Sequence, residues 1–355
     1  MPEPEIVING RRIGPSHPPY VVCELSANHN GDLERAIRML ETAASTGADA
    51  IKIQTYTPDT LTIESQAPDF TITEGPWRGR TLFDLYQEAY TPYEWHPALF
   101  SRARELGITI FSTPFDESAV QLLSDLNAPA YKIASFEIVD LPLIARVARE
   151  GKPMILSTGM ADLGEIESAV RTARENGVDE LALLHCTSAY PAPIQAANIK
   201  TVPHLSAAFG VVGGLSDHTL GNASAVAAVA LGAAVIEKHF TLARADGGPD
   251  AAFSLEPDEF RRLVQDCRDA WTALGKVDYS QQEAERGNVV FRRSLYVVQP
   301  IAVGEIFTTQ NIRSIRPGYG LSPKYLHTVL GRQATRDLKR GHALTWGDAA
   351  RSREP

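Results

Sequence analysis

The stretch Tyr20–Gln54, YVVCELSANHNGDLERAIRMLETAASTGADAIKIQ, holds the repeating unit of this chain. Tyr20–Glu24 is an apolar, strand-like run that ends in a carboxylate. Leu33–Thr46 has a helical pattern, and Ala50–Gln54 is a second strand-like run carrying Lys52 and Gln54 at its end. The unit then repeats. Further apolar runs stand at Thr109–Thr113, Ala130–Ile133, Met154–Ser157, Leu181–His185, Val211–Ser216 and Val235–Phe240, which makes eight. Helical patterns lie between most of them, at Tyr93–Leu106, Glu117–Leu126, Leu163–Asn176 and Ala223–Leu231, and Pro257–Leu274 closes the series. Thr91-Pro92 reads as an N-cap followed by proline at the first helical position. Eight β/α units over roughly 250 residues predict an α/β fold of the TIM (β/α)8 barrel type. An open doubly wound sheet would use fewer strands and a glycine-rich first turn, and Leu25–Gly31 offers no GxGxxG. Ahead of the first unit, Ile6–Ile13 predicts a hairpin turning at Asn9-Gly10.

The texture changes near Lys276. Lys276–Asn288 is polar and reads as a linker, and beyond it short β-like runs are broken by glycine and proline. The expected domains are a barrel over 1–280, a linker at 281–288 and a small C-terminal domain over 289–355. Within the last, Gly304-Glu-Ile-Phe-Thr308 echoes Gly341-His-Ala-Leu-Thr345, as in a pseudo-symmetric unit. A domain of roughly 60 residues buries little surface and gains by docking on something larger. Inside the barrel, Thr55–Arg80 is a long loop carrying Phe70 and Trp77, and loops of that length are usually functional lids.

Composition narrows the class. A net charge of −9 with no long basic run excludes a nucleic-acid footprint, though not an anionic substrate held by lysines in a cleft. The three cysteines, Cys23, Cys186 and Cys267, form no CxxC pair and read as small buried hydrophobes. The acidic start Met1-Pro2-Glu3-Pro4-Glu5 lacks the apolar core of a signal peptide. The longest apolar run, Ala223–Ile236, is too short to span a bilayer. The expectation is a cytoplasmic protein with no membrane partner.

Catalytic residues of β/α barrels project from the C-terminal strand ends. Those ends give Glu24, then Lys52 and Gln54, Thr113 and Phe115, Lys132, Ser135 and Glu137, and Ser157. They continue through Ser188 and Tyr190, then Ser216, Asp217 and His218, and finish at Lys238 and His239. Lys52 and Lys132, with the hydroxyls of Thr113, Ser135, Ser157 and Ser216, suit a phosphate and a carboxylate. The same lysines could instead sit in ion pairs with Glu24 or Glu137, or one could form a Schiff base. His218 and His239 end adjacent strands and could share a divalent metal with open positions. No HExxH or cysteine-rich motif is present, so zinc protease chemistry has no support.

Taken in order, these strings resemble the sialic acid synthase family. They are Ser26-Ala-Asn-His-Asn-Gly31, Lys52-Ile-Gln54, Ser112-Thr-Pro-Phe115, Tyr131-Lys-Ile-Ala-Ser135 and Ser157-Thr-Gly-Met160. His185-Cys-Thr-Ser188, Gly214-Leu-Ser-Asp-His218 and Glu237-Lys-His-Phe-Thr241 complete the set. The resemblance spans the chain, and the C-terminal part looks like that family's antifreeze-like (SAF) domain. Ser26-Ala-Asn, Gln54-Thr-Tyr-Thr-Pro-Asp59, Gly75-Pro-Trp-Arg-Gly-Arg-Thr-Leu82 and Thr187-Ser-Ala-Tyr190 look most like the pseudaminic acid synthase branch. The general family pattern has an asparagine where this chain has Ser188.

The resemblance implies condensation of phosphoenolpyruvate with an open-chain N-acetylated amino sugar, helped by a divalent metal (Mn, Mg or Co). It implies that Lys52, Thr113, Lys132, Ser135, Ser157 and Ser216 hold phosphoenolpyruvate, with Ser188 at the asparagine position. His218 and His239 would hold the metal. Gln54, Phe115, Glu137, Tyr190 and Asp250 would line the sugar site, and Glu24 would be the acid/base. The branch implies 2,4-diacetamido-2,4,6-trideoxy-L-altrose as acceptor; the alternatives within the family make N-acetylneuraminate or legionaminate. It also implies a domain-swapped homodimer in which Arg316 reaches the sugar of a partner chain. Two remoter readings are a Schiff-base aldolase and a non-catalytic sugar- or ice-binding protein.

Overall fold

Asn9 and Gly10 both take positive φ, 49° and 79°, and turn β1 (Ile6–Ile8) into β2 (Arg11–Ile13) as expected of Asn-Gly. The structure, a computed structural model, describes residues 3–75 and 77–350. Met1 and Pro2 of the acidic start, Pro76 of the long loop and residues 351–355 lie outside it. Eight parallel strands follow the hairpin: β3 (Tyr20–Glu24), β4 (Ala50–Thr55), β5 (Thr109–Pro114), β6 (Tyr131–Ile133), β7 (Met154–Ser157), β8 (Leu181–Cys186), β9 (Val212–Asp217) and β10 (Val235–His239). β10 pairs with both β9 and β3, so the sheet closes into a barrel and the doubly wound alternative falls.

Strand alternation sorts the apolar residues. Val22, Ala50, Phe111, Ala130, Ile155, Ala182, Leu184, Val212 and Val235 point inward and pack with Ile6, Ile8 and Ile13 of the hairpin, which floors the barrel. Val21, Cys23, Ile51, Ile53, Ile133, Leu156, Leu183, Leu215 and Ile236 point outward into the surrounding helices. The inward rows continue upward as Glu24, Lys52, Lys132, Ser157, Ser216 and Glu237, and all but that of β9, where Gly214 intervenes, change from apolar to polar within two residues.

One helix boundary differs from the expectation. Pro92 caps a 3-10 turn, Tyr93–Trp95, and the α-helix begins only at His96. Pro97 is the reason: it has no N–H to donate and its ring would clash with the carbonyl four residues back, so the helix has to start beside it. Helices Leu82–Ala89, Leu141–Ala148 and Thr201–Phe209 complete the wrapping.

The chain divides into two compact units, Met1–Gly275 and Lys276–Pro355. The second opens with an exposed segment and the 3-10 run Glu283–Phe291. Its β11 (Ser294–Val297) and β12 (Ile312–Ile315) pair antiparallel over a core that includes Leu295, Val297, Phe307, Ile312, Val329 and Leu344. Phe307 and Leu344 are the fourth residues of the two echoed strings. Thr308 and Thr345, one residue later, each cap a short turn, onto Asn311 and Asp348 respectively.

Candidate active site

The strand ends open into a cavity of about 480 Å³, a usual size for a small-molecule site. It is lined by Lys52, Gln54, Phe115, Lys132, Ser135, Glu137, Ser157, Tyr190, Ser216, His218, His239 and Asp250 among the residues singled out above. Thr113 and Glu24 stand just beneath that lining. Thr113 accepts a hydrogen bond from Lys52 Nζ at 3.3 Å, and Glu24 is ion-paired with the same ammonium. Ser188 sits beside the lining residue Cys186, 3.8 Å from its sulfur. Arg316 belongs to the second unit, its guanidinium 6.0 Å from the ring centre of Phe291.

Four charged groups share the floor of this cavity. Lys52 Nζ lies 3.6 Å from Glu237 Oε1, and Lys132 Nζ 4.0 Å from the same oxygen. Lys132 also donates to Ser157 Oγ at 2.6 Å, and Ser216 Oγ donates to Glu237 at 3.3 Å. The lysines therefore pair with Glu24 and Glu237, not with Glu137. Burial raises the Glu24 carboxyl and the neighbouring Glu237 adds to it, with Lys52 pulling the other way. Burial would raise Glu237 too, but Lys132 and Lys52 outweigh it and hold it low. Lys52 is held up by Glu237 and Glu24 against its burial, whereas burial wins at Lys132 and lowers it. One carboxyl is thus poised to carry a proton, and one ammonium releases its proton more easily than usual.

Above the floor stand the imidazoles. The His218 and His239 rings lie 5.3 Å apart, both buried. His218 Nδ1 is 3.1 Å from the Thr187 carbonyl, which can only accept, so Nδ1 carries a proton and Nε2 is the nitrogen left for a ligand. His239 is driven well below its usual value by burial and by His218, and its Nδ1 is buried without a partner. Among the described residues no group of three or more His, Cys, Asp and Glu is arranged to hold an ion. Burial would lower His218, but Cys186 and the Thr187 carbonyl outweigh it and raise it, so of the two rings only His239 is driven to the neutral form. Once His218 gives up its Nε2 proton, the two imidazoles fit a divalent ion that takes its remaining ligands from substrate and water.

Behind the lining residue Ser135 stands a backbone N–H. Gly159 N donates to Ser135 Oγ at 3.1 Å, and a Cβ on Gly159 would collide with the hydroxyls of Ser188 and Ser135. Absence of that carbon leaves N–H and O–H groups converging, which suits a phosphate. On the outer side, Tyr190 stacks near His218 (4.4 Å), Phe253 (5.2 Å) and Trp77 (5.8 Å). Trp77 Nε1 donates to the Pro249 carbonyl at 3.1 Å, which draws the Thr55–Arg80 loop against the segment after β10. Leu61 and Ile72 from that loop, with Leu82, Leu85, Tyr86 and Ala89 after it, give the cavity an apolar wall. Phe70 is not in it. Glu137 Oε2 is buried without a partner, and burial pushes its carboxyl to about 7. Asp250 accepts from Ser26 Oγ and is likewise raised by burial.

Three readings of the sequence change here. Glu237 belongs to the site, although the strand ends alone do not point to it; it lies two residues before His239 on one strand, which puts both on the inner face. Asp217 and Lys238 alternate with the histidines and face outward, away from the mouth. Cys186 is buried as expected but lines the cavity. Burial would raise its thiol, yet His218, with Nδ1 3.7 Å from the sulfur, more than offsets this and lowers it.

Residues 39–279 match the NeuB family and residues 292–350 the SAF domain. This chain belongs to the NeuB family. It is 45% identical to a pseudaminic acid synthase of Campylobacter jejuni over 93% of this chain and 96% of that one. It is 44% identical to the pseudaminic acid synthase of Helicobacter pylori over 94% and 99%. The crystal structure of an N-acetylneuraminic acid synthetase from Leptospira borgpetersenii, in complex with citrate, superposes with a TM-score of 0.72 at 31% identity, covering 81% of this chain and 95% of that one. The barrel and the SAF domain expected from the sequence are therefore those of its relatives.

Proposed function

We propose that this NeuB-family chain is a pseudaminic acid synthase, joining phosphoenolpyruvate to 2,4-diacetamido-2,4,6-trideoxy-L-altrose with release of phosphate. The carrying observation is the strand-end cavity, where Lys52, Lys132, Glu237, His218 and His239 meet beside an apolar wall, with Glu24 paired to Lys52 just below. Identity of 44–45% to pseudaminic acid synthases over nearly the whole chain supports the acceptor. The apolar wall does too, because it would leave a 6-hydroxyl unpaired but receive a 6-methyl.

Lys52, Lys132, Ser157, Ser216 and Thr113 bind the carboxylate and phosphate of phosphoenolpyruvate, with Ser135, Ser188 and the Gly159 N–H at the phosphate. A divalent ion on His218 and His239 (Mn, Mg or Co) would supply Lewis-acid polarisation of the acceptor aldehyde. Gln54, Phe115, Glu137, Tyr190 and Asp250 orient the open-chain sugar so that its aldehyde carbon meets C3 of phosphoenolpyruvate. The new C–C bond leaves cationic character at C2, and water adds there. Glu24 takes the proton from that water and returns it to the alkoxide at the former aldehyde carbon. The C–O bond of the tetrahedral adduct then breaks, the C2 hydroxyl passes its proton to the departing phosphate, whose charge the lysines balance, and C2 becomes a ketone.

Phosphate release is the assay. It should need the 6-deoxy acceptor, vanish with EDTA and vanish in His218→Ala and His239→Ala. Equal kcat/KM on N-acetylmannosamine would refute the acceptor. Full activity after metal stripping, or borohydride trapping of a lysine adduct, would favour the aldolase.

We also place the enzyme in the cytoplasm, in keeping with three free, buried thiols; no described helix is long and apolar enough to cross a membrane. Assembly is proposed as a domain-swapped homodimer, with residues 281–288 as tether and 289–355 as the exchanged domain. Phe136, Val139, Met160, Leu163, Ile194 and Leu220, exposed on the segments that follow β6 to β9, would offer an apolar rim for a partner's small domain. Mixed Glu24→Ala and Arg316→Ala chains would then regain activity on subunit exchange. A mixture that stays dead places the arginine in cis.

A further inference from the structure

The ion pair that faces away from the mouth stands next to both histidines. Asp217 and Lys238 are register partners on β9 and β10, and each is the chain neighbour of one imidazole, His218 and His239. Alternation turns the pair outward while the histidines turn inward. Both charged side chains are 1% exposed, beneath the helices that cover these strands. Lys238 Nζ donates to Asp217 Oδ2 at 2.7 Å and to the Thr219 carbonyl at 2.6 Å. Asp217 Oδ1 accepts from Thr219 N at 2.9 Å and from Thr219 Oγ1 at 2.8 Å, and Thr219 Oγ1 reaches Ser224 at 3.1 Å. Every polar group of this cluster closes on the turn 217–219, which carries His218 at its centre.

The two histidines need such support unequally. The carbonyls of both are held, His218 by Ala192 N and His239 by Leu255 N, each at 2.9 Å, but only His218 has its ring held as well, by the Thr187 carbonyl. His239 has no hydrogen bond on its buried Nδ1; the nearest carboxylate oxygen, of Asp250, is 3.8 Å away. Its position follows from packing against Phe253 at 5.1 Å and from the backbone at 239, where Lys238 is the adjoining anchor. A buried pair contributes little net stability against an apolar pair of similar volume, so charge–charge attraction is not what this pair adds; its hydrogen bonds fix the backbone on either side of the two histidines.

We infer that Asp217–Lys238 is a positioning pair that fixes the spacing of His218 and His239 for a divalent ion. This rests on the metal reading above. Groups that orient ligands from behind typically change metal affinity by about 10–100-fold when removed.

The test is Mn²⁺ titration of the full chain, reading free Mn²⁺ by EPR, alongside thermal unfolding of the metal-free protein. Asp217→Leu/Lys238→Met replaces the pair by apolar groups and should bind Mn²⁺ at least about tenfold more weakly, with a lower unfolding temperature because the buried Thr219 N–H and carbonyl lose their partners. Asp217→Asn, which retains the Oδ1 acceptor for Thr219, should give a smaller loss of affinity and serves if the double variant does not fold. Asp49→Asn is the control. Asp49 accepts from Val21 N at 2.8 Å and pairs with Arg268 at 3.0 Å at the opposite end of the barrel, so it should lower stability and leave Mn²⁺ affinity alone. Native affinity in both pair variants overturns the inference, leaving the metal reading intact. A native chain that binds no Mn²⁺ overturns both.

Discussion

The two ends of the barrel are built from the same strands and solve opposite problems. At the floor, Val22, Ala50, Phe111, Ala130, Ile155, Ala182 and Val235 meet the isoleucines of the β1–β2 hairpin, and every inward side chain finds carbon. Two residues further along, Glu24, Lys52, Lys132, Ser157 and Glu237 are equally buried but charged or polar. At the floor, burial is the source of stability. At the mouth, the same burial desolvates charges, and each group is held by opposite charges at close range. The inner face of one sheet is thus a core at one level and a reaction vessel at the next, with only the strand period separating them.

That contrast predicts a clean separation of phenotypes. Glu24→Gln removes the carboxyl that moves the proton and should lower kcat by roughly 10²–10⁴-fold, with the unfolding transition no lower than native. Phe111→Ala should do the reverse. It empties a fully buried position in the floor, so it should cost about 3–5 kcal/mol of stability in urea unfolding. Its kcat/KM, measured where the protein is still folded, should stay within about twofold of native. A Glu24 variant that loses both activity and stability would mean that the mouth is as structural as the floor.

Much of this was legible in the chain. Strand positions could be read because a continuous apolar run ending in polar residues, recurring between helical patterns, fits the inner wall of a barrel and little else. The Asn9-Gly10 turn was equally plain, since both residues accept the positive φ that a tight hairpin demands. The echo between Gly304–Thr308 and Gly341–Thr345 pointed only to a pseudo-symmetric unit; that its fourth residues, Phe307 and Leu344, share the core comes from the structure. What failed was parity. Reading Lys238 and Asp217 as mouth residues ignored that their neighbours His239 and His218 already face inward, and the same slip hid Glu237. The apolar wall was illegible on different grounds. Thr55–Arg80 announced itself by length, but no period tells which side of an irregular chain faces a cavity, so Ile72 could not be separated from Phe70. The helix start at His96 turned on a proline whose effect reaches four residues back.

Glu137 probes the mouth through pH. Its carboxyl is raised by burial from 4.5 to about 7. Below pH 4.5 the group is protonated in both folded and unfolded chains and costs nothing. As pH rises towards 7 the unfolded chain releases the proton while the folded chain keeps it, so stability falls, and above about 7 the loss levels off. The full swing is at most about 3 kcal/mol. Glu137→Gln should remove this component, so that native stability falls relative to the variant between pH 4.5 and 7. Parallel curves for the two proteins would show that the unpaired Oε2 finds a partner in solution.

A matched pair of glycines, one in each region, carries a smaller effect. A Cβ on Gly214, in the floor half of β9, would lie 2.5 Å from Leu184 Cδ2 and 2.5 Å from the Val235 carbonyl. The leucine tip can turn, but the carbonyl belongs to the paired backbone of β10 and cannot yield alone. Gly214→Ala should therefore destabilise by about 1–3 kcal/mol through overpacking and leave KM unchanged. A Cβ on Gly159, at the mouth, meets the Ser188 and Ser135 hydroxyls, which can swing aside at the expense of the hydrogen bond from Gly159 N. Gly159→Ala should keep the native unfolding temperature but raise KM for phosphoenolpyruvate, because the hydroxyls it displaces are the ones proposed to hold the phosphate. Urea unfolding and steady-state kinetics on the two variants decide the matter. If Gly159→Ala lowers stability as Gly214→Ala does and spares KM, the converging donors around Gly159 are packing, and the phosphate lies elsewhere in the mouth.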